Sequence, residues 1–517
     1  MNKFSKLTML LLMASFLLPI SCSDDLLNQV NTNTVSTGTF WGNQDDVALA
    51  INGMYHPITN TFYWGRIIHT GAMLRSDVFN VRPFGPNTAM STLQGEAGAA
   101  RWSTEIWQEP YKAIFRANAV LENTNAENVA DTKTRNGFLG QAHFMRAFSY
   151  FYQLINYGNI PLVTNTAKGA DDFFPSQAAP EAVWNQIVAD LTAAEGELPD
   201  SWDGQDVGRP TSGAATALKG KALLYQGKWS DAASSLRQVV NSGRYSLLPA
   251  DRYLENFTES NENNEESVYE LQYLGQESFA WGVDIPNVGT MGNFHIDYAP
   301  PGKSPDQSHY VNSWVKNLFE ANGETVRRDA TIAYDYEGST GYGGVPFAED
   351  FAGEIDLAAS ENMEAIFSRK YAGMDIGTRD EVDFLGTNVG TNWRIIRYAD
   401  VLLMLAEAEN EQGNTEAARE LVNQVRERAG VAALDAGADM RQAIIDERVL
   451  ELSGEGHRFY DLVRWGLADD YISNSSLHGE NPKSLSGGTF QTGKHELIWI
   501  PVSETSANKN LTQNPGY

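Results

Sequence analysis

Three carboxylates, Glu447, Glu451 and Glu455, recur at intervals of four residues, with Arg448 between them and His457 and Arg458 following. Paired carboxylates across a cleft are what a glycosidase needs. A four-residue step instead puts these three on one helix face, where Glu and Arg neutralise one another. The spacing therefore predicts a structural charge network, with His457 as a hydrogen-bonded core histidine. Other catalytic signatures are missing from the chain. It has no glycine loop ending in Lys-Ser/Thr, no His-Glu-x-x-His, no Gly-x-Ser-x-Gly and no cysteine pair. The expectation is a protein that is not an enzyme.

A second kind of chemistry is written in two irregular stretches. Sugar rings are held by flat apolar faces against their C–H side, and their hydroxyls by amides, carboxylates and Arg. One stretch offers Asn80, Arg82, Phe84, Asn87 and Trp102; the other offers Trp281, Asn293, Phe294, His295, Asp297 and Tyr298. Trp281 and Tyr298, flanked by Gly, Pro and Asn, are the leading contact candidates. Trp107, Trp184, Trp229, Trp465 and Trp499 fall at helical or signature positions and are assigned to the core. No cofactor is expected. Oxygen ligands for calcium exist in 261–266 and 329–337, but neither run has the spacing of a known calcium loop, so solvated acidic surface is the reading.

The elements that must position these groups are helical. At 212–241, Ala215, Leu218, Ala222 and Tyr225 form one apolar stripe; the chain turns at Gly227, and Ala233, Leu236 and Val240 rebuild the spacing. The pattern returns at 395–429, with Ala399, Leu402, Leu403 and Ala406 before a turn at Gly413 and Ala418, Leu421, Val422 and Val425 after it. Helical hairpins of this tetratricopeptide type cannot bury their faces alone and must stack. Further helices are read at 45–55, 106–123, 139–157, 180–198, 440–452 and 459–467. The fold class is mainly α: a scaffold at about 106–160, 180–245 and 393–467 carries a loop-rich ligand-binding face at about 59–104 and 246–392, with a few short strands. Residues 22–517 are read as one domain.

Over its 517 residues the chain carries a formal charge of -28. Such acidity repels phosphate backbones and argues against nucleic-acid binding. The one cysteine excludes a disulfide framework, but its position is informative. Lys3 and Lys6 precede the apolar run 9–18, and Ser21-Cys22 follows. This resembles a bacterial lipoprotein signal spanning residues 1–21, with Cys22 as the lipidated residue, although Pro19 and Ile20 stand where Leu and a small residue are usual. Ser23-Asp24-Asp25 resembles the acidic signal that sends such lipoproteins to the cell surface.

Three further segments carry a family resemblance. Gln141–Phe151 followed by Gly158-Asn159-Ile160-Pro161-Leu162-Val163, the run from Glu447 to Gly466, and the close Leu497-Ile498-Trp499-Ile500-Pro501 with Gln513-Asn514-Pro515-Gly516-Tyr517 resemble the SusD/RagB family. Ser453-Gly454 departs from the apolar pair many members place there. The resemblance covers essentially the whole chain. It implies a surface-anchored lipoprotein of the Bacteroidetes outer membrane that captures oligosaccharide or polysaccharide and passes it to a SusC-like TonB-dependent transporter. It also implies that ligand-contacting aromatics come from the two irregular blocks. A marine β-glucan would suit the acidity. The alternatives are a RagB-like binder of peptides and a surface glycoside hydrolase.

Overall fold

The computed structural model describes residues 40–60, 62–81, 87–93, 100–274, 295–298, 309–374, 390–479 and 481–517. Its helices are α1 (Gln44–Thr59), α2 (Ile67–Arg75), α3 (Ala100–Asn123), α4 (Thr132–Tyr157), α5 (Pro180–Glu197), α6 (Ser212–Tyr225), α7 (Trp229–Asn241), α8 (Tyr398–Glu411), α9 (Thr415–Arg428), α10 (Met440–Leu452) and α11 (Arg458–Arg464), with shorter ones between. Side-chain caps begin several of them. Asn43 and Asp46 form a capping box at α1, and Asp131, Thr211 and Asp439 accept first-turn amides of α4, α6 and α10. In both hairpins the turn glycine, Gly227 or Gly413, has the positive φ that other residues disfavour.

The helices pack in a continuous series. α1 lies on α3, α3 on α4, α4 on α5, α5 on α6 and α6 on α7. α7 then packs on α8, which reaches it only after the chain has run through residues 242–397, and α8 contacts both α9 and α10. The two hairpins legible in the sequence are thus consecutive in space. Close approach depends on small residues: a Cβ at Gly220 of α6 would lie 2.6 Å from Leu236 Cγ of α7.

Among the described residues, four two-stranded sheets accompany the helices. Two matter here. Strand β1 (Phe79–Val81) pairs antiparallel with β3 (His309–Val311), in the register Phe79↔Val311, Asn80↔Tyr310 and Val81↔His309. Strand β2 (Ser267–Leu271) pairs with β4 (Trp393–Arg397), fastening the start of the second irregular block to its end, with a register slip at Tyr269.

Element boundaries differ from expectation in several places. α3 begins at Ala100 and α4 at Thr132, because the polar first turns of these helices carry no apolar stripe. The second block, read as non-helical, contains the helices Ser313–Ala321, Val326–Thr331 and Ala352–Ser360. They are too short to show a period; Ala352–Ser360 buries only Glu354 and Ala358. The first block likewise contains α2, which is buried along its whole length.

Candidate functional site

The two irregular blocks meet at a shared platform. Besides the β1–β3 pair, Arg66 forms a bidentate ion pair with Asp297, its Nε donating to Oδ2 and its Nη2 to Oδ1, both at 2.8 Å. Thr70 Oγ1 donates to the same carboxylate at 2.8 Å. Burial alone would raise the Asp297 carboxyl; the adjacent Arg66 guanidinium overrides it and holds the group below the usual carboxylate range. Beside this pair, Trp393 of β4 stacks on His69 of α2 (3.8 Å between centroids, 13° between planes) and on Tyr371 (4.1 Å, 19°). Tyr298 meets Tyr371 edge-on at 71°. Burial pushes His69 down to about 3, so its ring is a neutral aromatic at physiological pH.

The platform corrects three sequence expectations. Tyr298 is 2% exposed, enclosed by His69, Phe79, Tyr371 and Trp393, so it offers no ring face to a ligand. Asn80 is buried, because each residue of β1 faces packed structure; its amide donates to Ser484 Oγ at 2.6 Å and accepts from Leu485 N at 2.9 Å. Trp102 is 4% exposed, in the core against α2 at Gly71. His295 opens the short helix His295–Tyr298. Arg82, Phe84, Trp281, Phe294 and Cys22 lie outside the described residues. The register Val81↔His309 sets a strand of the first block beside a strand of the second.

The carboxylate series is a buried charge network, as its spacing predicts, but α10 ends at Leu452 and Glu455 lies in the turn beyond it, not on the same helix face. Glu451, fully buried, accepts from Arg327 (3.1 Å), Arg397 (2.9 Å) and Arg428 (2.6 Å). Glu447 accepts from Arg327 and Arg426, and Glu455 from Arg397 and Lys370. A neighbouring group joins Arg448 to Asp400 and Asp461, and Arg458 to Asp77. His457 sits within 3.3 Å of the Lys221 ammonium; burial first, then that cation, push it down to about 4, which fits a neutral core histidine. None of these carboxylates is available to a substrate. Arg327 and Lys370 come from the second block and Arg397 from the strand that follows it, so the signature ties that block to the scaffold.

No group of three or more His, Cys, Asp or Glu side chains suited to a metal occurs among the described residues. In the runs considered for calcium, Glu265 pairs with Arg252, Glu266 with Arg397 and Arg428, and Asp329 with Arg328.

Among the described residues, open clefts lie elsewhere. Two adjoining ones, of about 480 and 910 Å³, share Trp202 and Arg209, which sequence reasoning missed. A third, of about 590 Å³, is lined by Tyr111 and the exposed Phe115, Phe173 and Phe174. The signal for Trp202 was its setting, a tryptophan in the Pro- and Gly-bearing segment between α5 and α6.

A stacked helical-hairpin scaffold with an inserted, pinned loop platform and a saturated carboxylate signature defines a class of helical-repeat binding proteins. The chain belongs to the SusD family: the model described as "SusD family" matches residues 237–517, and one described as "Starch-binding associating with outer membrane" matches 87–224. It is 32% identical to the starch-binding protein SusD of Bacteroides thetaiotaomicron, over 78% of this chain and 76% of that one. A SusD-like protein of Formosa agariphila is 27% identical across the full length of both chains. Among solved structures, a laminarin-binding SusD-like protein superposes with a TM-score of 0.72 at 27% identity, covering 92% of this chain and 100% of the other.

Proposed function

We propose that the chain is a cell-surface lipoprotein that captures oligosaccharide or polysaccharide and delivers it to a partner SusC-like TonB-dependent transporter. The observation that carries this reading is the pinned platform: Arg66–Asp297 and the β1–β3 pair root the two aromatic- and amide-rich blocks together. Relatives described as starch-binding and laminarin-binding support a glycan as the ligand. Arginines saturate the signature carboxylates, which favours binding without hydrolysis. No described helix is long and apolar enough to cross a membrane. Attachment is assigned to acylation of Cys22, and anchoring by more than one chain holds firmly where one does not. A tethered binder raises the local concentration of weakly held polymer at the pore.

The test is native affinity electrophoresis of residues 23–517 in gels containing laminarin, starch or xylan. Retardation by one glycan, weakened in Trp281→Ala or Phe84→Ala while the thermal transition persists, supports the reading. Retardation by none, or release of reducing ends during incubation, would sink it.

A further inference from the structure

Trp202 lies between α5 and α6, and none of the residues lining its clefts belongs to the platform segments 62–81 and 295–311. Its indole is fixed from two directions. Nε1–H donates to the Pro210 carbonyl at 2.8 Å. The ring tip presses on α4 where Gly137 stands: a Cβ there would be 3.1 Å from Cη2, so the glycine admits the ring. The side chain nevertheless stays only half-buried. A flat aromatic surface, rigid before any ligand arrives, therefore stands where the two clefts adjoin.

The surrounding groups suit hydroxyls. Arg209, in both walls, is held at three corners by Asp206 (2.6 Å), Gln141 (2.9 Å) and Asn52 (2.8 Å). Asn263 and Gln272 exchange amide hydrogen bonds at 2.9 and 3.0 Å, and Arg244 pairs with Asp200. An extended peptide would need an open strand edge. Strand β2, which lines the smaller cleft, is buried from Val268 to Leu271, paired with β4 and packed by α6.

The geometry points to a second carbohydrate site: a neutral oligosaccharide lies along the joined clefts with one pyranose stacked on Trp202 and its hydroxyls met by Arg209, Asn263 and the Arg244–Asp200 pair. Binding here and at the platform would let one molecule hold a long polymer at two points. The proposal rests on the glycan reading for its choice of probe.

Hydrogen exchange is measured with laminarihexaose and with maltohexaose, beside affinity electrophoresis in laminarin and starch. One oligosaccharide is expected to slow exchange in residues 198–211 and 262–272. Trp202→Ala should abolish that slowing and weaken retention about fivefold or more. Trp202→Phe, which keeps a flat ring, should lose less, and Trp281→Ala should leave the slowing in place. If Trp202→Ala fails to fold, exchange in the unaltered chain and in Trp202→Phe decides. Polysaccharide retention with unchanged exchange at 198–211 and a wild-type-like Trp202→Phe overturns the second site and leaves the platform reading intact. Slowing confined to 198–211 and 262–272, untouched by Trp281→Ala, supports this site and overturns the platform one. No response to any glycan overturns both.

Discussion

Arg397 donates two hydrogen bonds of 2.8 Å to Glu455 across the interior, Nε to Oε2 and Nη2 to Oε1. The arginine ends the strand by which the second block returns to the scaffold; the glutamate follows α10. Both are almost fully buried, and Arg397 also contacts Glu266 and Glu451. Removing one partner of a buried pair strands the other's charge, at a cost of about 3–5 kcal/mol. Arg397→Leu, which takes one cationic partner from each of Glu266, Glu451 and Glu455, is expected to lose about that much by urea denaturation. A loss below about 1 kcal/mol would contradict the network's role.

Acid should weaken the fold in two stages. Burial lowers His69 to about 3 and His309 and His457 to about 4. These groups stay neutral when folded but take up protons when unfolded, so their contribution is complete above about 6.5 and is lost as pH falls toward 3–4. Glu455 and Asp461 are buried, which alone would raise them, yet their arginines hold them below the carboxylate range; their contribution goes as pH falls below about 4. Urea midpoints at pH 7, 5 and 3.5 check both stages. In His457→Gln the decline between pH 7 and 5 should be shallower than in the unaltered chain.

Tyr298 gives a sharp test of core against contact. Its buried hydroxyl has no hydrogen-bond partner among the described residues. Tyr298→Phe is therefore expected to be neutral or slightly stabilising and to leave glycan retention unchanged, whereas Tyr298→Ala should cost about 3–5 kcal/mol as a large core truncation. Weaker retention by a stable Tyr298→Phe would return the residue to the binding surface.

Gly220→Ala sets two effects against each other. Alanine gains about 1 kcal/mol in a helix interior. Its Cβ would meet Leu236 Cγ at 2.6 Å, and overpacking of this kind costs about 1–3 kcal/mol. Net destabilisation by up to about 2 kcal/mol is expected, read as a lower thermal midpoint; a raised midpoint would mean that α7 shifts freely.

Local periodicity made much of the scaffold legible. Apolar stripes located the hairpins at 212–241 and 395–429, and four-residue spacing identified Glu447, Glu451 and Glu455 as structural. Their partners Arg327, Lys370 and Arg397 lie far away along the chain, and no period links them. The platform was harder to read, because Asn80, Trp102 and Tyr298 have the composition of a sugar site but the burial of a core. Residue type says what a side chain can do; only long-range pairings such as Val81↔His309 decide whether it faces solvent.

The contact of α7 with α8 also sets an order of events during biogenesis. A chain emerging from its amino end can stack α1 through α7, but the outer face of α7 stays bare until α8 arrives. Closing that gap early is slow, because the loop must be drawn together before any contact rewards it. The half-made protein therefore carries a sticky end, a natural place for a holdase chaperone to bind and for aggregation to begin if synthesis stalls.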